Sequence, residues 1–578
     1  MDEKAPTKKR IPKLSELKKP IIISGIVAVF AIAGIIVGVS IIREDHEERI
    51  FYCCFDDVPN ALDPLFELYF RDIIVIEQIA EGLFDINQSR KDAPIINNLV
   101  TNSVWSGDYL NFTCTLRSGV EFHDGTPFNA DAVKWNFERI HWFLNYKPWW
   151  ETWGYYYMFI NNEDQWHINR TEVLDTYTIR FVLNKPNIAF KALLTAPQCY
   201  ILSPASTPAY DYINISAQKL VGTGPFKQES CHTLRGDYDT GVCINTTLTA
   251  NSAYWGGRPE FDKIFYYWEP DPDKKLNDML SHKLSFTHEF NETNLDVYRN
   301  TSNITVVNRT QAGYWYLSMN NDQINVTMRK AISYAFNNSY YFNVYQKGND
   351  HQRIRSVLPK FMLYSNWEAF EIPYYNITTA RQVLLDANWN STLGLTANDD
   401  ISPGNPWETI ANSSTPLATY KYSYPMGSWV RSNFSLEIVR NLQQIGVKVI
   451  EDPLPYPSFW SKIFFGEMEI YYAGWNAIIN DPVDVLNPIF SAKADGLHNF
   501  NHFNDTLVQN WLDAAVEETN STAREQLYYQ IQERLIEHLY PVVWLGASIV
   551  YFAHGSNVVG IPQGGHAYRI LFKKGYFV

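Results

Sequence analysis

From Ile21 to Ile42 the chain runs for 22 residues without a charge, and no later apolar run approaches that length. At about 1.5 Å per residue, a helix of this size crosses a hydrocarbon layer of about 30 Å. The preceding residues 1–20 hold seven lysines and arginines against three acids, and the following stretch, Arg43-Glu44-Asp45-His46-Glu47-Glu48, is acidic. The excess of positive charge therefore holds residues 1–20 in the cytoplasm and leaves the rest outside. The competing reading is a cleaved signal peptide with a small-residue site at Ala31-Ile32-Ala33, but the apolar run continues for nine residues past Ala33, beyond an ordinary signal core. An uncleaved anchor over 21–42 is expected. Gly34 and Gly38 have the spacing of helix-pairing glycines, although glycine is common in such spans.

Removing the basic tail from a whole-chain net charge of −14 leaves −18 on residues 43–578. A surface of that sign argues against nucleic acid as a partner. The 536 residues beyond the anchor are enough for two or three domains.

Asn-x-Ser/Thr sequons occur at Asn87, Asn111, Asn169, Asn214, Asn245, Asn291, Asn300, Asn303, Asn308, Asn325, Asn337, Asn376, Asn390, Asn412, Asn433, Asn504 and Asn520. Composition alone would supply roughly six. The excess implies a glycosylated exterior of archaeal or eukaryotic type. Six cysteines do not make a disulfide scaffold. Cys231 and Cys243 bracket a polar, turn-rich loop, and outside the cell they are expected to bridge it. Cys114 is expected as a buried thiol, while Cys53, Cys54 and Cys199 are left unassigned. Arg235-Gly236-Asp237 in that loop has the form of an adhesion motif that any long turn-rich loop can contain by chance.

The stretch 110–140 carries the fold. Leu110, Phe112, Cys114 and Leu116 alternate with polar residues, the period of a half-buried strand. Turns follow at Ser118-Gly119 and Asp124-Gly125, with Val120 and Phe122 between them as a second short strand. Asn129 is placed to cap a helix, with Asp131 in its first turn and Ala130, Val133, Phe137 and Ile140 on one face. The wording of 119–133, Gly-Val-x-Phe-His-Asp-Gly-Thr-Pro-Phe-x-Ala-x-x-Val, resembles the signature of family 5 of the extracytoplasmic solute-binding proteins, the oligopeptide, dipeptide and nickel-binding type that serves ABC importers. Further segments resemble that family in its own order. They are Leu62-Asp63-Pro64, Glu81-Gly82-Leu83, Val221–Phe226, Asn251–Pro259, Tyr314–Ala335, Tyr375–Trp389, and Ala473-Gly474-Trp475 with Asp481-Pro482. The likeness runs from about residue 50 to the C-terminus.

What the resemblance implies is an α/β, two-lobed fold of the periplasmic-binding-protein type (type II) with an extra inserted domain, preceded here by one transmembrane helix. The expected divisions are a cytoplasmic tail at 1–20, the anchor at 21–42 and a first part of lobe I at 50–90. The extra domain follows at 91–211, lobe I resumes at 212–312, lobe II spans 313–540, and 541–578 completes lobe I. Local pattern agrees: Tyr420, Tyr422 and Tyr424 alternate as a strand, Ile438, Val439, Leu442 and Ile445 form a helical stripe stopped by Gly446, and Val447–Ile450 reads as another strand. The implied activity is capture of a solute by lobe closure and its delivery to an ABC permease, with no cofactor.

Peptide-binding members use an aspartate in the "Trp-x-Ala-Asp" step to take the ligand's ammonium group. Here Trp475-Asn476-Ala477 is followed by Ile478, with Asp481 and Asp484 as the nearby carboxylates that could replace it. Trp475, Asn476 and Ile478 are the expected pocket residues, with Trp429 and Asp63 as further candidates. The solute is expected to be peptide-like, with blocked peptides or oligosaccharides as alternatives. No nucleophile elbow, His-Glu-x-x-His or phosphate loop occurs. His498 and His502, and the His123-Asp124 pair, are expected to serve loops rather than metal or acid–base chemistry. A surface enzyme acting on glycans is the reading from another class. It draws on the 18 Trp, 37 Tyr and 33 Phe residues, since sugars stack on aromatic faces, and would need two carboxylates facing across a cleft.

Overall fold

The computed structural model describes residues 47–578 except 56–61, 67–69, 91–92, 149–151, 153–157, 161–165, 215–216, 235–241, 289–294, 341–353, 390–392, 427–428, 496–497 and 563–568. The expected anchor, Ile21–Ile42, lies outside the described residues; among those described, no helix is long and apolar enough to cross a membrane. Residues Ile50–Val578 form one compact unit.

Its spine is a ten-stranded sheet. The strand order is Phe226–Leu234, Val242–Ala250, Lys263–Trp268, Ile50–Phe55, Phe286–His288, Val542–Gly555, Ile304–Met319, Ile470–Asn476, Ala418–Pro425, Val447–Leu454. Two long strands, Ile304–Met319 and Val542–Gly555, run antiparallel through its middle. At one end Val542–Gly555 pairs with Phe286–His288, matching Phe286 to His554. At the other end Ile304–Met319 pairs with Ile470–Asn476, matching Gly313 to Asn476 and Met319 to Ile470. The register between the two long strands slips between Thr310 and Tyr314 and again between Trp315 and Tyr316. They therefore belong to both halves, and Val542 to Ala547 pairs on the second half, where the sequence reading starts the C-terminal part of lobe I at 541.

Separate cores explain why two halves exist. Phe51, Ile74, Phe226, Ile264, Phe286 and Phe572 are buried in one. Leu317, Met328, Trp407, Ile438 and Val447 fill a second, and Tyr314, Leu486, Phe490 and Tyr528 a third, both built on the segment after 312. The strands Ala418–Pro425 and Val447–Leu454 are parallel and joined through the helix Trp429–Gln443, a connection that parallel pairing requires. Ile438, Leu442 and Ile445 of the expected stripe are fully buried, and Gly446 takes φ +75° just beyond the helix, a backbone state that glycine reaches without a Cβ penalty.

The inserted domain is a four-stranded antiparallel sheet, ordered Val100–Trp105, Asn111–Leu116, Thr178–Leu183, Ile168–Asp175, with the helix Ala130–Tyr146 packed on it. Asn129 caps that helix through Oδ1, which accepts the Ala132 N–H at 2.9 Å. Ala130, Val133, Phe137 and Ile140 are all buried. Val120 and Phe122 are buried too, but they do not form the second strand that their spacing suggested. Only an isolated bridge, Glu121 with Pro127, occurs there, because the two turns come too close together for a ladder.

Candidate ligand-binding cleft

The segments that resemble the family converge on one carboxylate. Glu81 accepts from Thr223 Oγ1 at 2.9 Å, from the Tyr254 hydroxyl at 2.6 Å and from Trp255 Nε1 at 2.9 Å. Burial raises its pKa above the usual carboxylate range, while Lys573 and these donors pull the other way. The 119–133 signature docks on the same place. His123 donates its backbone N–H to Gly222 O and its Nε2 lies 2.9 Å from Gly224 O. A Cβ at Gly222 would come within 2.4 Å of Ile79 O, so only glycine allows that approach. Asp124 accepts from Ser203 Oγ, Ser206 Oγ and Thr126. The His123-Asp124 pair thus ties two segments down, the histidine reaching Gly222 and Gly224 of the first half and the aspartate holding Ser203 and Ser206 within the inserted domain. It is not arranged as an acid–base dyad.

The candidate binding segment begins where the strand Ile470–Asn476 ends. Gly313 on the long crossing strand faces Asn476 in register, and a Cβ there would lie 1.9 Å from Trp475 O and 2.5 Å from Asn476 Oδ1. The backbone of the crossover is thereby pressed against the two expected pocket residues. Trp475 is half-buried; its Nε1 donates to Asp484 O at 2.6 Å, and its ring meets His498 edge-on at 5.4 Å. His498 is 3 % exposed, and His502 Nδ1 lies 2.8 Å from Asp495. No group of three potential metal ligands occurs among the described residues.

Ile478 is half-buried and packs, with Val483, against the core of the inserted domain, while Ile479 is buried within that core. The residues that follow Trp475 thus reach from the second half to the inserted domain. The same two sides meet at Asn480, whose Nδ2 lies 3.5 Å from Ala93 O, and at Ile188, whose N–H donates to Val516 O at 3.1 Å.

Neither neighbouring carboxylate lies open to a ligand's ammonium group. Asp481 is 3 % exposed and held by both ends of Arg524, at 3.0 and 2.9 Å; Arg524 also donates to Ala515 O and the Tyr528 hydroxyl. Burial pushes the Arg524 pKa down, but Asp481 outweighs it and raises the guanidinium above its ordinary value. Asp484 is 1 % exposed, and its Oδ2 accepts the N–H groups of Ile478 and Ile479, the latter at 2.8 Å.

The two further candidates stand elsewhere. Asp63 is fully buried, paired with Arg139 and accepting the N–H groups of Leu65 and Ile213, each at 2.9 Å. With its oxygens taken up internally it positions the chain rather than offering a contact to solute. Trp429 opens the helix Trp429–Gln443, and its side chain lies outside the described residues. Sequence reasoning missed Arg524 and Gly313. Arg524 sits on an ordinary polar helix and no local pattern marks it; Gly313 had a faint signal as a lone glycine within a strand pattern.

The cysteines separate as follows. Cys53, Cys54, Cys114 and Cys199 are buried thiols. Cys231 is disulfide-bonded and lies on the strand Phe226–Leu234 opposite Thr246. The expected loop is therefore mostly a hairpin, with Thr233 facing Cys243 across it. The side chain of Cys243 and residues 235–241, including the Arg235-Gly236-Asp237 motif, lie outside the described residues.

The model of the bacterial extracellular solute-binding proteins, family 5 Middle, matches residues 94–496. The glutathione-binding protein GsiB of Salmonella typhimurium is 24% identical over 508 residues, 86% of this chain and 88% of its own. GsiB of Escherichia coli K12 is 23% identical over 509 residues, 86% of this chain and 89% of its own. Among solved structures, the ABC transporter-associated periplasmic binding protein DppA of Helicobacter pylori, in complex with peptide STSA, superposes with a TM-score of 0.71 at 23% identity, covering 91% of this chain and 98% of that one. NikZ of Campylobacter jejuni, in complex with Ni(L-His), gives 0.70 at 18%, covering 92% and 99%. These relatives are substrate-binding proteins, in agreement with the expected solute-binding role and against the alternative of a glycan-active enzyme. The chain belongs to the bacterial extracellular solute-binding proteins of family 5, and it is a binding protein and not an enzyme.

Proposed function

We propose that this protein captures a peptide-like solute that need not carry a free amino terminus, and hands it to an ABC import permease. The class of solute rests on a relative named for glutathione and on solved structures in complex with peptide STSA and with Ni(L-His). The tolerance of a blocked amino terminus rests on one observation. Position 478 carries isoleucine, and Asp481 and Asp484 are both engaged inside the protein. A buried ammonium group without a partner costs several kcal/mol, so a site of this kind gains nothing from one. Capture proceeds by closure of the second half onto the first half and inserted domain about the two long crossing strands, with Ile478, Ile479 and Val483 as the apolar contact of the closed form.

Calorimetry with a matched pair of short peptides, one free and one acetylated, tests the reading. Affinities within about threefold are expected, and strong preference for the free amine would overturn it. The protein is anchored by Ile21–Ile42 with its main domain outside the cell, a reading supported by the uncharged run and its flanks. Amino-terminal sequencing of protein from its native membrane should find residues before Pro20; a mature start beyond Ala33 would count against the anchor. The partner of Cys231 is Cys243, and digestion without reduction should release the linked peptide. A Cys231 peptide joined to any other thiol would exclude that pairing.

A further inference from the structure

We propose that the sequon asparagines are acceptors of N-linked glycan, an inference independent of what the cleft binds. Of the seventeen, Asn291, Asn390 and Asn433 have side chains outside the described residues. None of the other fourteen is buried: nine are exposed and five half-buried. Among the described residues ten asparagines are buried, Asn98, Asn136, Asn251, Asn320, Asn499 and Asn501 among them, and not one is followed by x-Ser/Thr. If sequons arose only because the chain is rich in asparagine and threonine, they would fall on buried and accessible asparagines alike. They follow the solvent instead, as a bulky polar modification demands.

The chemistry of transfer adds a second observation. The reacting atom is the amide nitrogen, so an acceptor is best prepared when its oxygen is engaged inward. Asn325, Asn376 and Asn520 each cap a helix through Oδ1, accepting the N–H of Met328, Thr379 and Thr522 respectively, each at 3.0 Å. All three are exposed, and the bond to Oδ1 turns Nδ2 away from the helix end. Asn169 is the contrasting case, since its Nδ2 already donates to Asn184 Oδ1 at 2.8 Å. In the transfer, Nδ2 attacks the anomeric carbon of a lipid-linked oligosaccharide. The N–C bond forms and the bond from that carbon to the phosphate oxygen breaks. The lipid phosphate leaves with the electron pair, Nδ2 gives up one proton, and nothing is oxidised or reduced.

Mass spectrometry of peptides from protein made in its native cells tests this. Peptides containing Asn325, Asn376 and Asn520 should carry sugar mass on asparagine. Thr327→Ala should remove it from Asn325 alone, because it destroys the sequon while keeping the Asn325 cap, and peptide affinity should stay unchanged. Unmodified asparagine at all fourteen accessible sequons would overturn the proposal, as would sugar persisting on Asn325 in the Thr327→Ala variant. Loss or retention of solute binding bears only on the cleft, so the two proposals fail separately.

Discussion

Asp484 Oδ2 accepts the backbone N–H of Ile479 at 2.8 Å and that of Ile478 as well, so one carboxylate clamps the turn that leaves the strand Ile470–Asn476. Its main-chain oxygen meanwhile takes the Trp475 indole N–H. Removing the carboxylate leaves the buried Ile479 N–H and the half-buried Ile478 N–H without their acceptor, at a cost of about 1–3 kcal/mol for a buried unsatisfied group. Asp484→Ala should therefore lower the thermal midpoint and weaken solute binding, since the turn also presents Ile478 to the inserted domain. Asp484→Asn, which keeps an acceptor oxygen, should recover most of both. An alanine variant with unchanged midpoint and affinity would show that the clamp is dispensable.

Trp475 gives a second handle on the cleft. Its indole is held by Asp484 O on one side and by the edge of His498 on another, which leaves a half-buried ring of fixed orientation. Trp475→Ala should weaken solute binding by about 1 kcal/mol or more if the ring packs on solute. Trp475→Phe keeps an aromatic face but loses the N–H, and should fall between. Solute should change the intrinsic fluorescence of the wild type, and the Trp475→Phe variant should lose much of that change. Equal affinity in all three proteins would remove Trp475 from the pocket.

The inserted domain was the most legible part of the fold. Asn129, Ala130, Val133, Phe137 and Ile140 announce their helix by local rules alone, a cap followed by an apolar face, and the structure uses each of them so. Glu81, Thr223 and Tyr254 were visible as words without a reason, because their shared hydrogen bonds join residues up to 173 positions apart. The replacement of the carboxylate by Ile478 could be read, but its packing on the inserted domain could not, since that contact exists only once two distant parts of the chain meet. Asp481 and Asp484 looked interchangeable in sequence. Only tertiary partners separate them, Arg524 for one and two backbone donors for the other.

The Asp481–Arg524 pair should be sensitive to the loss of either member. Both side chains are at most 5% exposed, and the two guanidinium contacts are matched to the two carboxylate oxygens. Breaking such a pair strands a buried charge, at about 3–5 kcal/mol, whereas replacing both partners with apolar groups is often close to neutral. Arg524→Met should lower the thermal midpoint strongly, and Asp481→Leu combined with Arg524→Met should restore much of it. A double variant no better than the single would mean that the pair serves as more than a matched set of charges.

His123 supplies a prediction in pH. Burial lowers its pKa to about 4, against the Gly224 carbonyl and Asp124, which favour the charged ring, and with Lys227 adding to the depression. A carbonyl can only accept, so Nε2 carries the proton and donates to Gly224 O in the neutral form. In the unfolded chain the ring titrates near 6.5. Between about 6.5 and 4 the unfolded state therefore binds a proton that the folded state does not, and stability must fall as pH falls through that window. His123→Gln removes this contribution, while His167, whose pKa burial also lowers to about 4, continues to add its own. The thermal midpoint of the wild type should drop further than that of His123→Gln when pH is taken from 7 to 4.5, and the His123 ring should titrate near 4 by nuclear magnetic resonance. Parallel pH profiles for the two proteins, or a ring midpoint near 6.5, would show that the signature histidine is not held neutral between the inserted domain and the first half.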